Sequence, residues 1–411
     1  MKNKDTICPL VWTHFSSHAD GRMRICCNTE HGGEVLDSNN KIINIQDVTD
    51  IDEYFNNDFY KNIRLQMLNG ERPKICNSCY RIEDVNGTSV RQHSLNMYNI
   101  DEFIENTDKN TGNLNNVVVK SLDLSWSNVC NLQCKMCHPA ASNQLEKEWK
   151  DLHNSIIISD NTKWEFDNLK NKLVQMSPTL TEILVTGGEP FLNKNFLQFC
   201  DYLCDNDFSK NITVTLHTNL TIMPKKFFER LHKFKMIRLH ISIDAVGELY
   251  EYIRYPGKWS VTDANIKKLA VILENHNNIE VEVHTVFQSY GIAGFVDLLK
   301  YFDQFSHLKN IKTIPHFIWP HMPLHASTTI LPDKFKNKYK SDIITQADKM
   351  HSLDNTILYD QLMACIDLMF SSKKTHIAKD FQHWVNQQDT YRNQDSKKYI
   401  PWLYEFDNIY V

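Results

Sequence analysis

The pattern of hydrophobic and polar positions changes in character after residue 116. From Val117 onward, short runs rich in β-branched and aliphatic residues alternate with longer stretches that carry apolar residues at three- and four-residue steps. This alternation is typical of βαβ units and a parallel sheet. It predicts strands at 120–125, 182–186, 212–217, 237–243, 279–287 and 311–318. It predicts crossover helices between them at 140–153, 192–205, 225–234, 263–275 and 293–305.

The pattern also divides the chain into regions. Residues 101–116 are rich in Asn, Asp and Thr and offer little apolar surface to bury, so we interpret them as a linker. The prediction is a cysteine-rich module over 1–100, the linker, an α/β core over 117–330 and a helical extension over 331–411.

Composition excludes several functional classes. The 411 residues carry 45 Lys plus Arg against 50 Asp plus Glu, a net charge of −5, which argues against a broad basic face and a nucleic-acid partner. No apolar run approaches the ~18 residues needed to cross a bilayer, so we expect no membrane span. The first 20 residues show no signal or transit pattern, so we expect a cytoplasmic protein. Its 11 cysteines should then be reduced thiols that serve metal or redox chemistry.

Three of these cysteines form the sharpest cluster. Cys130, Cys134 and Cys137 follow directly after the first predicted strand, where the carboxyl ends of parallel strands place ligands. Three thiolates from one loop can hold an iron–sulfur cluster and leave one iron open for a small molecule. Two alternatives use His138, as part of a C-x-x-C-H haem-attachment pattern or as the fourth ligand of a zinc site.

The spacing Cys-x3-Cys-x2-Cys at the end of a first strand resembles the signature of the radical S-adenosylmethionine (radical SAM) superfamily. Members usually carry an aromatic residue before the third cysteine, where this chain has Met136. The resemblance implies a partial (β/α)6 barrel. It also implies a [4Fe–4S] cluster on Cys130, Cys134 and Cys137, with S-adenosylmethionine bound to the open iron through its amino and carboxylate groups.

The resemblance extends to later strand ends. A glycine turn lets backbone carbonyls approach the ammonium group of the cofactor's methionine part. Hydroxyl and amide side chains can form hydrogen bonds with the ribose, and a guanidinium suits the methionine carboxylate. The alternatives are an ordinary strand-to-helix turn, helix caps and a surface ion pair. No catalytic acid, base or hydrogen donor stands out. The expected cofactor contacts are Met136, Gly187, Gly188, Glu189, Thr218, Asn219, Ser242, Asp244 and Arg254.

The N-terminal cysteines have a spacing of their own. Cys-x12-Gly-x4-Cys, followed later by Cys-x2-Cys, resembles the SPASM and twitch modules that hold auxiliary clusters in many radical SAM enzymes. The resemblance implies a second [4Fe–4S] cluster, although a zinc ribbon is an open alternative. Cys27 duplicates the position of Cys26, so which of the two binds is also open. The expected ligands are Cys8, Cys26, Cys76 and Cys79.

The remaining candidates are weaker. Cys200, Cys204 and Cys365 lie in apolar helical stretches and are interpreted as core residues. His284, His316 and His321 lie near late strand ends, where they suit either a substrate or a polar core.

The resemblance implies an enzyme that cleaves S-adenosylmethionine reductively to a 5′-deoxyadenosyl radical, which removes hydrogen from a substrate. Relatives with such modules often modify peptides, so a peptide or protein substrate is the leading expectation, with a flavodoxin or ferredoxin as electron donor. One alternative is a radical SAM enzyme acting on a small carbohydrate or nucleotide. Another is a zinc-binding interaction protein without catalysis.

Overall fold

A computed structural model of the protein describes residues 5–30, 33–84, 87–153, 166–318, 326–350, 356–371 and 377–405. Within these residues the strands form a sheet with the order β2-β1-β3-β4-β5-β6-β7-β8. Pairs β1–β3, β3–β4, β6–β7 and β7–β8 are parallel, and β1–β2 is antiparallel. The strands are β1 (His14–Ser17), β2 (Met23–Arg24), β3 (Ser121–Ser125), β4 (Glu182–Thr186), β5 (Thr213–Thr218), β6 (Met236–Ser242), β7 (Ile279–Val286) and β8 (Ile311–Ile318).

Helices lie between the strands and at both ends of the described chain. In chain order they are α1 (Leu10–Thr13), α2 (Ile51–Phe55), α3 (Asp58–Leu68), α4 (Asn77–Asp84), α5 (Val90–Met97), α6 (Ile100–Glu105), α7 (Leu145–His153), α8 (Phe166–Met176), α9 (Lys194–Asp205), α10 (Lys225–Glu229), α11 (Gly247–Ile253), α12 (Trp259–Asn275), α13 (Phe295–Asp303), α14 (Asp333–Met350), α15 (Thr356–Phe370) and α16 (Ala378–Arg392). None of these helices has the length and apolar character needed to cross a membrane.

Packing divides the chain into two units. Unit 1 comprises the described residues of Met1–Asn128, Ser159–Thr215 and Lys233–Lys235, and unit 2 those of Val129–Ile158, Leu216–His232 and Met236–Val411. The four-part division read from the sequence stays a prediction.

Unit 1 adds two strands that the hydrophobic pattern did not predict. β1 pairs in parallel with β3, with His14 opposite Ser121, and its other edge pairs with β2. The four residues of β1 are all buried and show no alternation, which hides the strand from a periodicity argument. The N-terminal cysteine region therefore contributes strands to the sheet.

Residues 101–116 also lie in unit 1, where they are held by a buried arginine. Arg64 is fully buried and donates hydrogen bonds to the carbonyl oxygens of Gly112 (2.8 Å), Val11 (3.3 Å) and Phe55 (2.6 Å). Leu114 is buried as well. The guanidinium thus ties this segment to α1 and to the end of α2.

Unit 2 contains the regular part of the predicted pattern. On β6, Ile237, Leu239 and Ile241 are buried, whereas the residues between them are partly exposed. This period of two places alternate side chains on opposite faces of the sheet. The prediction of an α/β fold with a helical C-terminal region is confirmed, and α14 to α16 form that region.

Candidate functional site

The three-cysteine loop follows β3, as the sequence predicts. Cys134 is buried, and Cys130 and Cys137 are partly exposed. Burial raises the pKa of Cys134 to about 12 and that of Cys137 to about 11. Thiols in such surroundings ionise when a bound cation supplies positive charge, which is how a metal centre recruits cysteine.

The backbone of the loop is anchored to the segment after α11. The Gln133 N–H donates to the Tyr255 carbonyl at 2.6 Å, and the Lys135 N–H donates to the Ile253 carbonyl at 2.9 Å. These bonds flank Cys134 and fix the backbone that carries its side chain.

Two polar side chains point at loop sulfurs. Asn219 Nδ2 lies 3.9 Å from Cys130 Sγ, and Arg254 Nη1 lies 4.0 Å from Cys134 Sγ. Donors beside thiolate sulfurs stabilise their negative charge and tune the reduction potential of a cluster. Two residues expected from the later strands therefore meet the cysteine loop.

Arg254 is held by a buried ion pair with Asp244. Its Nη2 and Nε lie 2.6 and 2.7 Å from Asp244 Oδ2, and Asp244 Oδ1 accepts a hydrogen bond from the Val286 N–H at 2.8 Å. Burial opposes the positive charge of Arg254, but the Asp244 carboxylate prevails and raises the arginine's pKa. The buried ion pair therefore holds the positively charged Arg254 side chain beside Cys134.

Asn219 connects the loop after β5 to the cysteine loop. It donates to Asn131 Oδ1 at 3.0 Å and accepts from the Thr221 N–H at 2.9 Å, while Asn131 Nδ2 donates to Thr221 Oγ1 at 2.8 Å. The neighbouring Thr218 accepts from the Leu220 N–H at 3.0 Å. Thr218 and Asn219 thus stabilise the turn after β5, which places the Asn219 side chain beside Cys130 Sγ.

The Gly-Gly-Glu segment lies in unit 1. Gly187 has φ +98°, and a Cβ there would lie 2.6 Å from the Ser127 carbonyl oxygen, so only glycine fits. The Gly188 N–H donates to the same oxygen at 2.8 Å. Glu189 is buried and accepts from the Phe191 N–H at 3.1 Å. The segment is thus a tight turn with a buried carboxylate.

The other expected contacts are placed as follows. Met136 and Ser242 are both partly buried. His284 is buried on β7 and stands opposite His316 of β8 in register, whereas His321 lies outside the described residues.

A lysine within the cysteine motif was not singled out from the sequence. Lys135 is buried, its Nζ donates to Asp389 Oδ1 of α16 at 2.8 Å, and it lies 4.2 Å from the centre of the Tyr252 ring. Burial lowers its pKa to about 8, although Asp389 opposes the shift. A charged residue next to the buried Cys134 was the signal for an ion pair, but its partner is 254 residues away.

The N-terminal cysteines cluster electrostatically within unit 1. Burial raises the pKa of Cys76, and the neighbouring Cys8 and Cys79 add to that rise. The pKa of Cys26 is raised by burial and then by nearby thiols, Cys27, Cys8 and Cys76. Cys27 is the exposed member of the set, although desolvation of its thiol still raises its pKa to about 11, and Asp123 adds to that rise.

Comparison with known proteins gives this geometry a context. Residues 124–281 match the family described as the Radical SAM superfamily. Residues 124–281 are therefore similar to a radical SAM domain. Radical SAM domains use a [4Fe–4S] cluster and S-adenosylmethionine, and the match begins in β3 and includes the cysteine loop.

Curated relatives cover parts of the chain. An uncharacterized protein of Methanocaldococcus jannaschii is 28% identical over 44% of this chain and 58% of its own. The radical SAM cyclopropyl synthase TigE of Paramaledivibacter caminithermalis is 27% identical over 39% of this chain and 34% of its own length. The GTP 3′,8-cyclase of Alkaliphilus oremlandii is 26% identical over 31% of this chain and 36% of its own length. The chain therefore spans about a third to three fifths of the length of these relatives.

Solved structures that match part of the chain include two bound to S-adenosylmethionine. Streptococcus suis SuiB is 16% identical with a TM-score of 0.39, covering 75% of this chain and 66% of its own. The protein named anSMEcpe is 19% identical with a TM-score of 0.39, covering 55% and 59%.

Proposed function

We propose that this protein is a radical SAM enzyme that removes hydrogen from a peptide or protein substrate. The observation that carries the enzymatic part is the loop of Cys130, Cys134 and Cys137, with Asn219 and Arg254 directed at two of its sulfurs. Three thiolates suit a [4Fe–4S] cluster with one open iron. When bound, the cluster supplies one electron that splits S-adenosylmethionine into methionine and a 5′-deoxyadenosyl radical.

The protein's own residues position the reactants. Arg254 keeps a positive charge beside Cys134, Asp244 orients Arg254, and Asn219 holds the loop. Holding the substrate near the reacting carbon and excluding water are the remaining tasks of such a site. The other cofactor contacts are proposed from the resemblance: Met136, Gly187, Gly188, Glu189, Thr218 and Ser242.

A second [4Fe–4S] cluster on Cys8, Cys26, Cys76 and Cys79 completes the proposal. Burial and the mutual effect of the thiols favour Cys26 over the exposed Cys27 as the ligand. Cys26→Ala should remove about four iron atoms per chain, whereas the matched Cys27→Ala should keep them. Equal iron content in the two variants would contradict the assignment.

The peptide substrate is inferred from the N-terminal cysteine set and its resemblance to auxiliary-cluster modules. A flavodoxin or ferredoxin is proposed as the donor because the reaction consumes one electron. A nucleotide substrate is the second candidate, because GTP 3′,8-cyclases are among the curated relatives. Incubation of the reduced protein with GTP and S-adenosylmethionine separates them. We expect GTP to remain intact, and its consumption would favour the nucleotide.

The enzymatic proposal is tested by anaerobic reconstitution with iron and sulfide, followed by dithionite and S-adenosylmethionine. We expect 5′-deoxyadenosine from the wild type and from Cys365→Ala, whose thiol lies in α15. The triple variant Cys130→Ala, Cys134→Ala and Cys137→Ala should produce none. A cluster-loaded wild type that forms no 5′-deoxyadenosine would refute the proposal.

A further inference from the structure

Three histidines from consecutive strands meet on one face of the sheet in unit 2. His217 lies on β5, His240 on β6 and His284 on β7. Neighbouring strands lie about 4.8 Å apart, so side chains on a shared face come into contact. The ring centres are 4.6 Å apart for His217 and His240, 5.2 Å for His217 and His284, and 4.2 Å for His240 and His284. The cysteine chemistry uses none of these rings.

The nitrogen atoms of the rings are close enough to share one ion. One nitrogen from each ring lies within 4.8 Å of the other two. Among the described residues, these three histidines form the group of His, Cys, Asp or Glu side chains whose ligand atoms come close enough to share an ion. His240 Nδ1 lies 3.3 Å from His217 Nε2. A tetrahedral ion with bonds of about 2.0–2.1 Å to nitrogen places its ligand atoms roughly 3.3–3.4 Å apart. Two ligands therefore already have the required spacing.

The third ring needs a small movement. His240 and His284 are stacked with planes 16° apart, so the His284 ring must turn about its side-chain bonds to aim a nitrogen at the same point. Rotation about the bond between Cβ and the ring, a torsion that is broad in histidine, can make this change.

A carboxylate lies on the opposite side of two of the rings. Glu282 Oε2 is 3.5 Å from His284 Nε2 and 3.8 Å from His240 Nε2. A histidine that binds a metal through one nitrogen commonly donates its other N–H to a carboxylate, which orients the ring and makes it a stronger ligand. Glu282 has this position for His284 and lies slightly farther from His240, so the arrangement suits a metal site with an outer carboxylate.

We propose that His217, His240 and His284 bind one divalent transition-metal ion, for which Zn²⁺ is the best-suited choice, and that Glu282 orients two of the rings. Imidazole suits zinc, and three protein ligands leave one position for an oxygen or nitrogen atom of a bound molecule. His240 precedes Ser242 by two residues, about 7 Å along a strand. The ion would thus lie on the sheet face that carries Ser242, a proposed cofactor contact. The proposed function does not itself require this metal site.

The direct test is zinc K-edge X-ray absorption on the cluster-loaded wild type after anaerobic addition of Zn²⁺ and removal of the excess. We expect about one zinc per chain with a nitrogen and oxygen shell at about 2.0–2.1 Å and the scattering pattern of imidazole. Failure to retain zinc, or a shell made only of sulfur at about 2.3 Å, would overturn the proposal.

Variants locate the ion. His240→Ala should lose the nitrogen-bound zinc, and Glu282→Gln should bind it about 10- to 100-fold more weakly. The exposed His232, on the connection between β5 and β6, provides the matched control, and His232→Ala should bind zinc as the wild type does. Unchanged zinc binding in His240→Ala would refute the site. Iron content, measured in each sample, shows whether the cysteine loop still binds its cluster when zinc is lost. The X-ray absorption spectrum of the wild type tests the site even if a variant fails to fold.

Discussion

The buried contact between Lys135 and Asp389 offers a quantitative test of how the cysteine loop is held. The side chain of Lys135 is 0% exposed and that of Asp389 is 9% exposed, and they meet at 2.8 Å. Asp389 also accepts hydrogen bonds from the Tyr252 hydroxyl at 3.0 Å and from the Ser396 N–H at 2.7 Å. Asp389→Asn removes the carboxylate charge and leaves the ammonium buried without its counter-ion. Breaking a buried pair in this way costs about 3–5 kcal/mol.

The cost should appear as a lower melting temperature and as loss of iron. At about 2 °C per kcal/mol for a chain of this size, scanning calorimetry should show a decrease of roughly 6–10 °C. The double variant Lys135→Met with Asp389→Asn removes both charges, so it should be more stable than Asp389→Asn alone, with a coupling of about 0.5–3 kcal/mol.

Lys147 provides the matched control for this pair. It forms an ion pair with Asp151 on α7, but its side chain is 79% exposed. Lys147→Met should leave both the melting temperature and the iron content unchanged, because water solvates both charges. The pair does not hold the loop if Asp389→Asn has the same melting temperature as this control. The same conclusion follows if the stability losses of Lys135→Met and Asp389→Asn add up to that of the double variant.

Three further substitutions test other contacts of the site. Arg254→Met leaves the Asp244 carboxylate buried without a cation, so it should destabilise the protein by about 3–5 kcal/mol, whereas Arg254→Lys should lose less; equal denaturation midpoints would contradict this. Asn219→Ala removes hydrogen bonds worth roughly 1–3 kcal/mol in total and should speed the loss of iron to a chelator, so an unchanged rate would count against its role at the loop. Gly187→Ala forces a Cβ to 2.6 Å from the Ser127 oxygen at a positive φ, costing at least about 1–3 kcal/mol, and wild-type stability by calorimetry would show that the turn relaxes.

Much of the α/β pattern could be predicted because each strand carries its own signal. β4 and β8 have the predicted bounds, and the other core strands shift by a residue or two at their ends. The helix expected from residue 140 begins at Leu145 instead. The reason is tertiary: Ser142 donates to the Leu132 carbonyl at 2.7 Å and Asn143 accepts from the Cys130 N–H at 3.2 Å. Both side chains serve the cysteine loop.

The candidate site was predictable where chemistry is local in sequence. The three cysteines lie within eight residues, and their spacing alone indicates a cluster. Contacts between distant residues were not predictable in this way. Pairing of His217 with His240 and His284 requires the strand register, and the partner of Lys135 lies on a C-terminal helix. Such contacts depend on how elements pack, which local periodicity does not encode.

The central claim is that the loop of Cys130, Cys134 and Cys137 binds a cluster whose open iron receives S-adenosylmethionine. Electron–nuclear double resonance on the reduced protein, with S-adenosylmethionine labelled with ¹⁵N at the amino group, measures that bond directly. We predict a ¹⁵N coupling to the cluster in the wild type and its loss in the triple cysteine variant. A reduced cluster on these cysteines that shows no coupling to the labelled nitrogen would contradict the account.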